Sequence, residues 1–420
     1  MHEKALFQLL AKASVLSVAS WRPTDIVWLE NGLAIRILFV DLFRGILKQH
    51  GYKEVLMPAF IPEGLMNRQQ AHFRDVERIS FFLGNETECY LRATSESQFA
   101  AFVSSDGLRS LPTRMFQVCS VYRREQNSKL LPLLRAIEID PFIEAMTFTN
   151  DSSKEMAREA CLYETLFHRL CLPTHEIVRP SWDTFPEATR TIAFDTVLPR
   201  KGAIQVASVH NLSTSFARVF DLRNAKSKYV QQTSSGISGR ALLAVMMMHL
   251  RAGKLFLPSS LCPKLLLVPK KLHAIVMSIV DDDIRHRIEV EENIDLHSTI
   301  IPFPIRIVSI AGKQIRVLSA VGGQSSIESS LFANGIREML KDHDRKLLGS
   351  AKTKIKRDAH SDGVVRELPS CGEIACLLDR MNKSLTSRQF MGFVRAEKVS
   401  RRCPACHRTQ DYTARFALPL

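Results

Sequence analysis

The sequence predicts an α+β protein of two or three domains, and three observations carry that expectation. The stretch Met115–Phe148 holds two β-rich runs, Met115–Tyr122 and Leu133–Phe142, on either side of a polar segment at Arg123–Lys129, which is the pattern of a hairpin. Gly32–His50 and Asp151–Leu170 each place their apolar residues on one helical face. Tyr229–Leu250 runs from a strand end through a Ser/Gly-rich turn into a helix from about Ser238. The 420 residues, 45% hydrophobic and 24% charged, suffice for a large core.

The remaining elements follow in chain order. Leu6, Leu9, Leu10, Ala13 and Leu16 share a helical face, so Ala5–Ser20 reads as an amphipathic helix. Gly51 stands where the helix over Gly32–His50 should stop. Glu54–Ile61 is extended and broken by Pro58, which suits an edge because proline cannot donate to a ladder. A helical piece leads to His72, Cys89–Ala93 is strand-like, and Ser97–Ser105 is helical. Beyond the hairpin, Ile192–Val197 and Ala203–Val209 read as strands, and Met246, Met247 and Met248 as core filling. Pro258–Pro263 has linker composition. The next segment carries strands at Leu265–Val268, Ile305–Ile310 and Ile315–Ala320, with helices near Leu272–Ile279 and Ile327–Leu347. Ala351–Asp362, with Lys352, Lys354, Lys356 and Arg357, reads as an exposed connection.

Charge and cysteine usage narrow the chemistry. A formal net charge of +14 suits a polyanionic partner such as RNA, and nucleotide phosphates with it. No apolar run approaches the roughly 20 residues needed to span a bilayer, so a cytoplasmic protein without membrane partners is expected. Nine cysteines in that compartment should be reduced, and paired spacings then point to metal. Cys371 and Cys376 are separated by four residues, and Cys403 and Cys406 form a C-x-x-C. Four such thiolates would close a tetrahedral, structural Zn²⁺ site. Arg123 and Glu125 at the hairpin tip combine a guanidinium that can fork onto phosphate with a carboxylate that can accept from an exocyclic amine. Arg240, in the first turn of its helix, lies at the dipole's positive end, where an anion is favoured. Asp281–Asp283 suits an exposed loop, and Cys119, inside a strand, suits packing more than nucleophilic attack. A Walker loop, a dinucleotide glycine fingerprint and H-E-x-x-H are all missing.

These pieces, in this order, resemble the three signatures of class II aminoacyl-tRNA synthetases, most of all the archaeal/eukaryotic-type prolyl enzymes. The long helix with the extended segment and Pro58 resembles motif 1, followed by a family-like Phe60–His72. LRATSES at Leu91–Ser97 is similar to the family's L-R-P-T-S-E. The hairpin, with R-x-E at Arg123–Glu125, resembles motif 2, and QQTSSGISGR, ending at Arg240, resembles motif 3. The resemblance implies an antiparallel sheet flanked by helices, a dimer through the motif 1 region, and adenylation of an amino acid by ATP with Mg²⁺ before transfer to tRNA. It assigns the α-phosphate to Arg123, the adenine edge to Glu125, the ribose neighbourhood to Gln232 and the γ-phosphate to Arg240. Thr94 and Glu96 would hold the substrate amino group, and Glu144 and His210 belong to the amino-acid pocket.

The pocket departs from the family pattern. Met146 stands where a histidine is usual and Ser235 where a tryptophan is usual, and Ala193 falls where T-T-T-I-E-A has its glutamate. Replacing a lining tryptophan by serine would open an apolar wall, a loss of about 2–3 kcal/mol of contact. The resemblance divides the chain into a catalytic domain (1–260), a shortened anticodon-binding-like α/β domain (261–348) and a zinc-bearing C-terminal domain (349–420). It implies a prolyl-tRNA synthetase-like, AMP-forming ligase acting on proline and tRNA(Pro). The alternatives are a paralogue that loads another acceptor or a proline analogue, and a non-catalytic RNA-binding relative.

Overall fold

The computed structural model describes residues 3–22, 25–70, 81–83, 88–106, 110–124, 137–179, 183–185, 187–198, 202–292, 299–361, 365–369, 389–395, 401–402, 409–410 and 412–417. Two compact units emerge: Met1–Leu42 with Leu166–Pro173 and Leu242–Lys354, and Phe43–Thr165 with Thr174–Ala241 and Ile355–Leu420.

The second unit is built on a ten-stranded sheet. Its elements are β1 (Lys53–Glu54), α1 (Glu96–Asp106), β2 (Thr113–Tyr122), β3 (Glu138–Thr149), α2 (Ser152–Arg169), β4 (His175–Val178), β5 (Arg190–Leu198), β6 (Gly202–Ser213), α3 (Ser215–Phe220), β7 (Gln231–Ser238), α4 (Gly239–His249), β8 (Val365–Pro369), β9 (Gln389–Arg395) and β10 (Tyr412–Ala417). The strand order is β8-β10-β9-β4-β5-β6-β7-β3-β2-β1. Every pairing is antiparallel except β1 with β2. Residues directly opposite one another across antiparallel strands share a face, so the register sorts the side chains.

One face carries Ala145, Ser235 and Val209 in one row and Thr147, Thr233 and Asn211 in the next. Helix α2 covers it. Glu159 Oε1 accepts from Thr147 Oγ1 (2.8 Å), Thr233 Oγ1 (2.7 Å) and the Tyr52 hydroxyl (2.9 Å), while Tyr163 packs against Phe43 and Phe194. Burial holds the Glu159 carboxyl above the usual carboxylate range, and the three hydroxyls partly offset that. The opposite face has a grid of its own. Met115, Met146, Ser234, His210 and Thr191 form one row, and Gln117, Glu144, Gly236, Ser208 and Ala193 the next. Helices α1 and α3 close one end of it through a buried cluster that includes Phe99, Met146, Phe148, Leu212 and Phe216.

The first unit contains a five-stranded mixed sheet in the order Ile288–Glu291, Leu266–Pro269, Ile305–Ala311, Gln314–Ser319, Gln324–Glu328. Leu266, Leu267 and Val268 are buried in succession, as a strand with parallel neighbours on both sides requires.

Several expectations change. The N-terminal helix spans Glu3–Lys12 and gives way to a short strand at Leu16–Val18, because the chain there pairs with Ile26–Trp28. The second hairpin arm is described from Glu138 and continues to Thr149, well past Phe142, and residues 125–136 lie outside the described residues. Ile327 belongs to a strand, and the helix that follows runs from Phe332 to Ser361. Ala351 and Ile355 are buried and the helix runs to Ser361, so the expected exposed connection at Ala351–Asp362 begins as anchored helix, and Asp362 lies outside the described residues. Pro258–Pro263 is not a loose linker, since Leu261 and Cys262 are fully covered.

The helix over Glu30–Gln49 supplies a paired test of packing. A Cβ on Gly32 would lie 1.7 Å from the Val15 carbonyl oxygen, whereas one on Gly45 meets nothing within 4 Å. Gly45→Ala should stabilise the chain by about 0.5–1 kcal/mol through helix propensity. Gly32→Ala should destabilise it by about 2 kcal/mol or more through the clash. Denaturant unfolding of both variants checks the opposite signs.

Candidate active site

The second face of the larger sheet has small residues at its centre. Gly236, Ser208, Ala193, Ser234 and Ser238 leave room that Glu144, Met146, His210 and Phe142 surround. A Cβ on Gly236 would lie 3.1 Å from Phe142 Cζ, so the absence of a side chain there is what lets the ring lie across the strand.

Two buried carboxylates define the recess. Glu144 Oε1 accepts from Ser95 Oγ (2.5 Å) and Gln117 Nε2 (2.6 Å), and Gln117 also donates to Ser95 Oγ (2.8 Å). The Gln117 amide oxygen in turn accepts from the Met57 backbone N–H at 2.8 Å, which fixes its orientation. Glu96, at the start of α1, accepts from Ser234 Oγ through Oε1 (2.8 Å), while its Oε2 is buried with no hydrogen-bond partner among the described residues. Thr94 Oγ1, two residues earlier, is buried and likewise lacks a partner among them. Burial, reinforced by the charge of Glu144, raises the Glu96 carboxyl to about 7 from its ordinary 4.5.

Arg123 supplies the opposing charge. It leaves β2 where Tyr122 N–H bonds the Arg92 carbonyl, its Nε donates to the Ala93 carbonyl (3.0 Å), and its guanidinium lies 5.6 Å over the Phe142 ring. Desolvation lowers its pKa, and Glu96 and Glu144 oppose that shift. Arg92 holds the loop from beneath, with Nη1 on the Met57 carbonyl (2.7 Å) and Nε and Nη2 on that of Ser120 (3.0 and 2.9 Å). Arg240 stands in the first turn of α4, with its N–H on Ser238 Oγ and its Nη1 on the Gln205 carbonyl, each at 3.3 Å. The Gln205 side chain accepts from Arg179 Nη2 (3.0 Å), which also reaches both Asp195 oxygens (2.9 and 3.0 Å). The Phe142–Ser238 end of the grid is therefore rich in guanidinium.

At the other end His210 is held by Thr191 Oγ1 at Nδ1 and Ser208 Oγ at Nε2, both 2.9 Å, and its ring lies 4.9 Å from that of Phe185. Desolvation lowers its pKa to about 3, so it is a neutral hydrogen-bonding group at working pH. Gln232 lies one step beyond Ser234 on the same face, fully buried, with its amide oxygen accepting from the Ala217 N–H of α3 (3.1 Å) and its Nε2 unsatisfied among the described residues. Glu125 and the four cysteines Cys371, Cys376, Cys403 and Cys406 lie outside the described residues.

Ser235 corrects an expectation. It lies on the α2 face, buried beside the Tyr163 hydroxyl, so it opens no wall of the recess. Sequence reasoning did not single out Ser95, Gln117, Phe142, Ser234 or Gln205. The alternation Phe142, Glu144, Met146 against Ser234, Gly236, Ser238 carried the signal for two of them, Phe142 and Ser234. Cys119, packed in β2, has its thiol raised well above the ordinary range by burial and the Glu144 charge, which leaves it a poor nucleophile.

Residues 80–249 match the tRNA synthetase class II core domain (G, H, P, S and T). Residues 80–249 of this chain thus carry a class II aminoacyl-tRNA synthetase core domain. The chain's similarities within that class run to proteins named proline–tRNA ligase. It is 32% identical over 252 residues to that of Aeropyrum pernix (56% of this chain, 52% of the relative) and 34% identical over 262 residues to that of Saccharolobus islandicus (58% and 54%). The match thus spans about half the length of these relatives. A longer one, 27% identical over 470 positions, covers 98% of this chain and 94% of the proline–tRNA ligase of Methanopyrus kandleri. The Giardia lamblia prolyl-tRNA synthetase, solved in complex with prolyl-adenylate, shares the fold with a TM-score of 0.84 at 19% identity, covering 100% of this chain and 98% of that one.

The raised Glu96 pKa has a measurable sign. Below about pH 4.5 folded and unfolded chains both carry the proton, and between 4.5 and about 7 the folded chain keeps a proton that the unfolded chain has lost. The folded state therefore loses stability as pH rises through that window and levels off above it. Glu96→Gln should flatten this part of the profile, so the stability difference between variant and native chain grows from pH 4.5 to 7 in the variant's favour. Urea unfolding across that range checks it, and a constant difference would count against the burial of Glu96.

Proposed function

We propose that the chain activates proline with ATP as prolyl adenylate and transfers the prolyl group to tRNA. The observation that carries the reading is the buried pair Thr94 Oγ1 and Glu96 Oε2, neither with a hydrogen-bond partner among the described residues, beside Ser234 and within the field of Arg123. A buried carboxylate oxygen and a hydroxyl left open are the partners a cationic amine requires. By resemblance Arg123 is assigned to the α-phosphate and Arg240 to the γ-phosphate, and their guanidinium charge supports that assignment. Glu125 is assigned to the adenine edge and Gln232 to the ribose side by resemblance. Gln205, bonded to both Arg179 and Arg240, is a further candidate for the nucleotide side. His210, neutral and braced by two hydroxyls, and Glu144, fixed by Ser95 and Gln117, form the walls of the amino-acid end.

The chemistry follows from those placements. ATP enters as its Mg²⁺ complex. A carboxylate oxygen of proline attacks the α-phosphorus, the bond to the bridging oxygen breaks, and pyrophosphate leaves. Guanidinium charge on the non-bridging oxygens stabilises the transition state in line. The terminal ribose hydroxyl of tRNA then attacks the acyl carbonyl, and AMP departs.

The small α/β sheet of the first unit is assigned to anticodon contact. The four C-terminal cysteines are assigned to a structural Zn²⁺ and the chain to a cytoplasmic homodimer, whose motif 1 region includes the exposed Leu56 and Phe60. A second reading, activation of a larger proline analogue, is favoured by one observation: the row Ala193, Ser208 and Gly236 leaves the floor of the pocket short of side-chain bulk.

Pyrophosphate exchange over a panel of amino acids and cyclic analogues separates the two readings, and no exchange with any of them would defeat both. Arg123→Ala and Arg240→Ala should each cost about 10²-fold or more in exchange rate. Glu96→Gln should act chiefly on the KM for the amino acid.

A further inference from the structure

The segment that closes the amino-acid end of the recess carries a charged surface that the adenylation chemistry does not use. Strand β6 leaves the floor at His210, ends at Ser213 and passes into α3, whose inner residues Phe216, Ala217 and Phe220 are buried. Its outer side and the turn that follows expose Arg218, Arg223, Lys226 and Lys228, and Arg68 reaches the same place by donating to the Val219 carbonyl (2.9 Å) with its guanidinium 4.5 Å over Phe220. The one carboxylate among these contacts is the exposed Asp221, paired with Arg223.

This surface is ordered by its own bonds. Arg223 lies 4.0 Å over the Tyr229 ring, donates to the Tyr229 hydroxyl (2.5 Å) and to the Ser227 carbonyl (3.1 Å), and Arg218 approaches the same ring at 5.2 Å. The Asn224 side chain accepts from the backbone N–H groups of Lys226 (2.9 Å) and Lys228 (3.1 Å) and donates to Asn150 Oδ1 (2.8 Å). Asp221 and Ser227 take left-handed backbone conformations that set the two ends of the turn. Among the described residues five cations, the three guanidiniums fixed by their own contacts and the two lysines carried on an ordered turn backbone, stand with the one carboxylate of Asp221 and make a surface for a run of phosphates.

We propose that the Arg218–Tyr229 segment, with Arg68, docks the sugar–phosphate backbone of the RNA acceptor as its 3′ end enters the recess. The proposal rests on the reading that the acceptor is an RNA. Each phosphate neutralised releases condensed counterions, so binding through this surface has a salt signature. The test is fluorescence anisotropy of the full chain with a labelled acceptor-stem RNA hairpin between 50 and 200 mM salt. It compares the native chain with Arg218→Gln/Arg223→Gln/Lys226→Gln/Lys228→Gln and with Lys226→Gln/Lys228→Gln. The second variant changes only exposed side chains of the turn, so its fold is not in question. The expected result is a fall in affinity of about tenfold or more for the quadruple variant. The slope of log affinity against log salt should become shallower by about 0.7–0.9 for each phosphate contact removed, and the double variant should be intermediate. Pyrophosphate exchange should be unchanged in both. Native affinity and native slope in both variants would overturn the proposal while leaving adenylation untouched. Absence of exchange in the native chain would overturn the activation reading instead, whatever the RNA result.

Discussion

Two carboxylates, Glu96 and Glu144, share one buried recess, and much of the surrounding structure is explained by what it takes to keep them there. Like charges in a desolvated site repel, and each must be satisfied or carry a proton. The chain treats them differently. Glu144 is tied down by Ser95 and Gln117, with Gln117 itself locked by the Met57 N–H. Glu96 has only Ser234 on one oxygen and nothing among the described residues on the other. The asymmetry separates a fixed wall from a seat open to a cation, and Arg123 supplies the countercharge that lets both persist. Arg92, bonded to Met57 and Ser120, holds the loop that aims Arg123 and Thr94, so a residue with no chemistry of its own sets the geometry of two that have it.

The α2 side of the same strands is arranged to match. Glu159 gathers hydroxyls from Thr147 and Thr233, the residues flanking Met146 and Ser234 on adjoining strands. A one-residue slip of β7 against β3 would break those bonds and turn Ser234 away from Glu96, because alternate residues face opposite sides. Register beneath the sheet and geometry above it are therefore one constraint.

Much of this was legible in the sequence where periodicity is strong. The helix over Ser152–Arg169 and the strands around Ile192 and Val209 followed from helical and alternating patterns that burial enforces. What was harder to read lay where one residue serves two masters. Ser235 looked like a missing pocket wall, and only the register shows it facing Tyr163 on the far side. Ala351–Asp362 looked like a loop because lysines dominate it, yet Ala351 and Ile355, four apart, are enough to anchor a helical face. Gln117 and Ser95 were invisible because their role is to hold Glu144, a partnership made by residues 22 to 49 positions apart. Glu125 and the C-terminal cysteines remain assignments from the sequence, resting on spacing and resemblance.

The central claim is that the Glu96 carboxylate is the seat of the substrate's cationic amine. Its pKa of about 7 means that binding an ammonium there must expel a proton at lower pH. Titration calorimetry with a non-hydrolysable prolyl adenylate analogue, repeated in buffers of different ionisation enthalpy, measures that proton. The prediction is release of about one proton per site at pH 6, falling toward zero above pH 8, and no such release in Glu96→Gln. Tight binding at pH 6 without proton release, or the same release from the variant, would contradict it.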